Sequence, residues 1–202
     1  VLVTTGSLNR LTLTSMQKAM MDLPTRWLSA ARTNAVTVML GGDNRRYAIT
    51  PEMTGHMGEQ LALLARSTRS KLMLIPSRRT PGGLIDSITA ALPDGSVLTP
   101  AEDEPNVYPG VLGLGQAVMV TSDSVNMASE AAITGKPVLV IGWKPPTKDS
   151  PTGESGRIAS FHKNMVAGGH TAIFDGSIPS GNFVRLDEMA DMTTRLLTLL
   201  GR

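Results

Sequence analysis

Residues 118–140 read VMVTSDSVNMASEAAITGKPVLV, and this stretch restricts the possible fold more than any other in the chain. A short β run (118–120) gives way to four small polar residues, Thr121, Ser122, Asp123 and Ser124. A helical pattern follows and stops at Gly135, and a second β run covers residues 137–141. Strand, polar turn, helix and strand make one βαβ unit, whose two strands are parallel. At the turn, unpaired backbone N–H groups and the positive end of the helix dipole converge, an arrangement suited to a phosphate or another anion. Simple helix capping by Ser122, Asp123 and Ser124 accounts for the same residues, so the rest of the chain has to decide between the two readings.

The alternation recurs on both sides. Residues 2–6 read as the end of a β run. A helical pattern from Ser15 is interrupted at Pro24 and resumes over residues 27–31. AVTVML (35–40) is a β run bounded by Gly41 and Gly42, followed by a polar loop (43–47) holding Arg45 and Arg46. Thr50 as cap, Pro51 at the first helical position and Glu52 in the first turn start a helix expected to reach about Ser67.

Residues 72–75 form the next β run, and Ser77, Arg78 and Arg79 follow it. Thr80 and Pro81 repeat the cap-then-proline signal ahead of Leu84, Ile85, Ile88 and Leu92. Residues 97–98 make a short strand, and Glu102, Asp103 and Glu104 a solvated acidic loop. A brief helix at 111–116 leads into the βαβ unit. Residues 143–156, with three prolines, are too long for an ordinary connection and are expected to be mobile or functional. A helix (157–166), a short strand (172–174) and an amphipathic helix (186–200) complete the chain. The fold class expected is α/β, a Rossmann-like parallel sheet with helices on both faces.

Composition removes several function classes. With no cysteine there is no disulfide, thiolate metal site or Cys nucleophile, and His56, His162 and His170 are too widely spaced for a metal motif. A net charge of +2 and seven aromatics among 202 residues argue against a nucleic-acid-binding surface. No run approaches the roughly 18 apolar residues of a membrane span. The chain starts with Val, and residues 1–5 read as a β run entered without a turn. It is therefore expected to be part of a longer protein, with residues 1–34 the end of an N-terminal domain plus linker and residues 35–202 the C-terminal domain.

Ligands of open parallel sheets gather at the carboxyl ends of strands. Three strands end suggestively, in Gly41-Gly42, in Arg78-Arg79 and in residues 121–126. Brought to one edge, they would join a glycine loop, two guanidinium groups and a helix N-terminus, a set suited to a diphosphate. Glu130, about two turns into the helix, is placed either to accept two ribose hydroxyls or to sit exposed. His162 reads as a general base, a substrate partner or an exposed helix residue. No Ser/His/Asp spacing signals a triad, and most of the 12 methionines fall at apolar helical positions.

The segments VLVTTGSLNRLT, VMLGGDNRRYAIT, PSRRTPGGL, VMVTSDSVNMASEAAITGKPVLV and FHKNMVAGGHTAIFDG together resemble the mitochondrial-fission (elongate-mitochondria) family, in that family's order. It comprises mostly bacterial proteins with plant relatives, some described as predicted nucleoside-diphosphate-sugar epimerases. The central segment is also similar to the donor site of GT-B glycosyltransferases and of non-hydrolysing sugar-nucleotide 2-epimerases. By that resemblance the diphosphate falls to Ser124, Val125, Asn126 and Met127 through their N–H groups, while Gly41, Gly42, Arg78, Arg79 and Ser122 are diphosphate candidates from their places at the strand ends and the polar turn. The resemblance gives the ribose to Glu130; His162, read from its own residue type and not from the resemblance, is the candidate catalytic residue. Ser124-Val125 stands where those enzymes carry glycines, and Ser129-Glu130 where the epimerases carry paired acids.

The resemblance implies the C-terminal domain of a GT-B fold and a metal-independent glycosyltransferase or an epimerase, with a nucleoside-diphosphate sugar as substrate and no cofactor. A non-catalytic interaction protein of the same family is the alternative. It further implies a cytoplasmic setting, with a peripheral membrane or protein partner left open.

Overall fold

The computed structural model describes residues 2–45, 48–145, 147, 150, 152–181 and 183–201. The start of the first β run at Val1, Arg46 and Tyr47 of the polar loop, and Pro146 and Pro151 of the 143–156 stretch lie outside the described residues.

The elements in chain order are α1 (Leu13–Met21), α2 (Thr25–Ala31), β1 (Ala35–Leu40), α3 (Pro51–Thr68), β2 (Lys71–Pro76), α4 (Leu84–Thr89) and β3 (Val97–Leu98). They continue with α5 (Tyr108–Leu114), β4 (Ala117–Thr121), α6 (Val125–Ala132), β5 (Val138–Ile141), α7 (Gly156–Ala167), β6 (Ala172–Ile173) and α8 (Glu188–Leu199). The six strands form one parallel sheet in the order β3-β2-β1-β4-β5-β6, the doubly wound arrangement.

β1, β4 and β5 are buried along their whole length, so their sequences run apolar without alternation. On one face, Val36, Val38, Leu72, Leu74 and Met119 meet Met57, Leu61 and Leu64 of α3 and Ile88 of α4. On the other, Met39, Val118, Val120, Val138 and Val140 meet Met16, Leu112, Met127, Ala128 and Ala131. Trp27 of α2 is fully buried against Met73, Ile75 and Val111, so the segment before β1 packs into the same core. No helix among the described residues is long and apolar enough to cross a membrane.

Local signals set several boundaries. Thr50 caps α3 by accepting from the Met53 N–H, and Pro51 occupies the first turn. Asp187 accepts from the Ala190 N–H and so begins α8.

Four expectations are corrected. Residues 2–6 pair with no strand, and the Gly6 N–H instead donates to Glu188 Oε1 at 2.7 Å. Thr80 does not cap α4, which starts three residues after Pro81 behind Gly83 at φ 76°. The Thr80 hydroxyl is drawn to the main chain at the end of β1, donating to the Leu40 and Gly41 carbonyls at 2.9 and 2.6 Å. The helix before β4 begins at Tyr108 rather than Val111. Finally, Glu104 is not solvated. It accepts from Arg26 Nε at 3.0 Å and from the Trp27 indole N–H at 2.8 Å, which holds its carboxyl down at about 2.

Candidate functional site

The sheet order places the topological switch between β1 and β4, where successive crossovers leave in opposite directions and the strand ends part. There a cleft of about 740 Å³ opens, lined from the β2 side by Ser77, Arg78 and Arg79 and from the β4 side by residues 123–127 and Glu130. Asn106 and Tyr108 close a third side from the start of α5.

The first turn of α6 faces this cleft. Ser124 is the N-cap, and its hydroxyl accepts from the Met127 N–H at 3.4 Å. The N–H groups of Val125 and Asn126 have no partner among the described residues, so two donors at the positive end of the helix remain for a ligand. The expected share of Met127 is thus already taken by Ser124.

Asp123, beside them, is buried and fully engaged. Its Oδ2 accepts from the Gly42 N–H at 3.2 Å and from Arg79 Nη2 at 3.0 Å. Its Oδ1 accepts from the Thr121 hydroxyl at 2.7 Å and from the Trp143 indole N–H at 2.9 Å. Four donors compensate a carboxylate that would otherwise repel an anion in the cleft.

This hub also reassigns the two glycines. A Cβ on Gly41 would lie 2.2 Å from the Asp123 carboxylate oxygens, and one on Gly42 would lie 2.0 Å from the Arg79 carbonyl oxygen. Both glycines are buried, and the Gly41 N–H donates to Thr121 Oγ1 at 2.8 Å. A side chain at either position would collide with a neighbouring loop, so both are glycine for want of room. Arg79 is likewise committed to Asp123. Arg78 lines the cleft and has no hydrogen-bond or ion-pair partner among the described residues, which leaves it as the available cation.

Glu130 lies one turn beyond Asn126 on the same face of α6 and reaches the cleft from a half-buried position. The Tyr108 hydroxyl donates to its Oε2. Burial pushes the Glu130 carboxyl above its usual range, partly opposed by the bond from Tyr108. Burial, then the charge of Glu130, raises the Tyr108 phenol, so the hydroxyl keeps its proton and donates.

Ser122 and His162 lie behind the cleft rather than in it. Ser122 is fully buried and its hydroxyl donates to Glu154 Oε1 at 3.1 Å. His162 is 1% exposed, which corrects the surface reading that helical periodicity favours. Its Nε2 lies 2.7 Å from the Ser122 carbonyl oxygen, so this nitrogen carries the proton and donates. Burial lowers the His162 pKa, while Ser122, Glu154 and Asp123 oppose the shift. The imidazole braces the 121–124 turn from beneath.

The structure therefore brings Arg78, Arg79, Ser124, Val125, Asn126, Met127 and Glu130 to one cleft, and sets Gly41, Gly42, Ser122 and His162 outside its lining. Sequence reasoning missed Asn106, Tyr108 and Trp143. Trp143 stood out as one of only two tryptophans, in an overlong loop, and that was the available signal. No cluster of three acidic or histidine side chains suited to a metal ion occurs among the described residues.

The family model for Mitochondrial fission ELM1 matches residues 1–200. The mitochondrial fission protein ELM1 of Arabidopsis thaliana is 29% identical over 208 aligned positions, covering 97% of this chain and 44% of that protein. The chain thus spans less than half the length of this curated relative.

Among solved structures, a UDP-GlcNAc 2-epimerase from Methanocaldococcus jannaschii, in complex with UDP-GlcNAc and UDP, superposes with a TM-score of 0.54 at 12% identity. The match covers 92% of this chain and 51% of that one. A candidate UDP-N-acetylglucosamine 2-epimerase from Listeria monocytogenes gives 0.50 at 16% identity, covering 90% and 40%. These likenesses establish a GT-B-type fold.

Proposed function

The chain belongs to the mitochondrial fission ELM1 family, and from that premise we propose that it is a nucleotide-sugar-binding domain whose ligand lies in the cleft between the ends of β2 and β4. The observation that carries this reading is the first turn of α6. Two unpartnered N–H groups, on Val125 and Asn126, stand one helical turn, about 6 Å, from a half-buried carboxylate, Glu130, on the same helix face. A nucleoside diphosphate carries an anion and a diol at that order of separation. The N–H groups and Arg78 take the diphosphate, and Glu130 takes the ribose hydroxyls.

The activity that fits is transfer of a glycosyl group from a nucleoside-diphosphate sugar without a metal. As the bond from the anomeric carbon to the diphosphate oxygen breaks, negative charge grows on the leaving group. The α6 N-terminus and the Arg78 guanidinium stabilise that charge. Residues 35–202 carry the nucleotide-sugar domain. α1 and α2 pack against it through Met16 and Trp27.

Isothermal calorimetry with UDP, GDP and ADP tests the reading. Micromolar binding of one of them supports it, and no heat from any of the three at millimolar ligand overturns it.

A second reading, a non-catalytic interaction protein of the same family, draws on the exposed Leu196, Leu197, Leu199 and Leu200 of the C-terminal segment. A full-length Glu130→Ala variant that retained every cellular phenotype would favour it.

A further inference from the structure

We propose that Tyr108 is a positioning residue that holds Glu130 for a ribose and makes the cleft select ribonucleotides over 2′-deoxyribonucleotides; this rests on the nucleotide-binding reading above.

Three observations combine. The Tyr108 ring packs against two separate parts of the core, one built around Val118, Val120 and Met127 and the other around Trp27 and Val111. Its backbone N–H is fixed by the Asn106 side-chain oxygen at 3.2 Å, at the turn that opens α5. A phenol held at both its main chain and its ring presents its hydroxyl from one direction, and that hydroxyl donates to Glu130 Oε2.

The consequence lies in which lone pairs remain. Each carboxylate oxygen accepts about two hydrogen bonds. Tyr108 occupies one site on Oε2, while Oε1 has no partner among the described residues. A free Glu side chain turns about its last torsion with little preference, whereas this one, on the lining of the cleft, is held at Oε2 by the Tyr108 hydroxyl. Two adjacent acceptors of fixed direction match a cis-diol, whose hydroxyls each donate one hydrogen bond. A 2′-deoxyribose offers one donor and leaves half of the pair unmet.

Calorimetry on the wild-type protein, Tyr108→Phe and Glu130→Gln tests the proposal. The probes are UDP, GDP and ADP, together with the 2′-deoxy counterpart of whichever binds tightest. The wild type is expected to prefer the ribonucleotide by roughly ten- to a hundredfold, the range of a hydrogen bond to a charged group. Tyr108→Phe should cut that preference severalfold, weakening the deoxynucleotide, which keeps one hydroxyl on Glu130, by less than the ribonucleotide. Adding it to Glu130→Gln should have no further effect on the preference.

A purely structural role would weaken both ligands alike, and that result overturns the proposal. So does an unchanged preference in Tyr108→Phe when the wild type binds the nucleotide. If the wild type binds none of the three, the nucleotide-binding reading itself fails and takes this inference with it. The phenylalanine keeps the ring and removes only the hydroxyl, and a thermal melt checks that the variant folds.

Discussion

The guanidinium of Arg79 meets the carboxylate of Asp123 at 3.0 Å, tying the loop that leaves β2 to the loop that leaves β4. The two ends of this pair differ sharply, since the Asp123 side chain is fully buried and the Arg79 side chain 41% exposed. What each contributes to stability should therefore differ.

Asp123→Ala is expected to cost about 2–4 kcal/mol, because the Gly42 and Trp143 N–H groups lose their buried acceptor. Arg79→Ala should cost less than about 1 kcal/mol, since solvent screens an exposed guanidinium. Urea denaturation at constant m-value measures both, and equal costs would contradict the asymmetry.

Glycine substitutions separate close approach from conformational freedom. Gly42→Ala should destabilise by several kcal/mol, because the Arg79 carbonyl oxygen sits 2.0 Å from the new Cβ and backbone has to move. Gly55 lies exposed within α3 with nothing within 4 Å of its Cβ position, so Gly55→Ala should stabilise by about 0.5–1 kcal/mol. Differential scanning calorimetry of the pair should give shifts of opposite sign.

Two groups set the acid limb, the partly buried Glu104 and the buried His162. Arg26, then the Trp27 and Ala101 N–H groups, hold the Glu104 carboxyl at about 2, below its ordinary 4.5. Its contribution is complete above pH 4.5 and is lost as the pH falls toward 2. Burial lowers His162 from 6.5, so the unfolded chain takes up that proton first and stability declines once the pH drops below 6.5. Glu104→Gln should flatten the lower window and His162→Gln the upper one. Denaturant midpoints between pH 3 and 8 provide the check, and the Trp27 indole donating to Glu104 gives a fluorescence signal for the lower window.

Arg78 has no partner to lose, so Arg78→Ala should leave the melting temperature within about 2 °C of the wild type. It should weaken the best-bound nucleoside diphosphate about tenfold and flatten the dependence of affinity on salt. Unchanged affinity would make Arg78 a plain surface residue.

What the sequence disclosed, and what it hid, follows from the range of each interaction. β1 and α3 were legible because their signals are local, an apolar Val-rich run for one and the Thr50-Pro51 start for the other. That Arg78 and Glu130 line one cleft was legible from their places at a strand end and on a helix turn. The same local logic misread Thr80, whose hydroxyl is claimed by carbonyls 39 and 40 residues away. Asp123 looked like one cap residue among three, because its donors at Gly42, Arg79 and Trp143 lie 81, 44 and 20 residues distant. Tyr108 was invisible for the same reason, since nothing within its own segment points to Glu130.

The shared acceptor at Asp123 has a consequence for how the protein breathes. The carboxyl ends of β1, β2, β4 and β5 each contribute a donor to this one side chain, through Gly42, Arg79, Thr121 and Trp143. Loops at a strand edge usually open one at a time, and their amides exchange with solvent at unrelated rates. Here the departure of any one weakens the anchor of the other three. The amides of Gly41, Gly42 and Ser122 should therefore exchange together, as one cooperative unit with a single opening free energy.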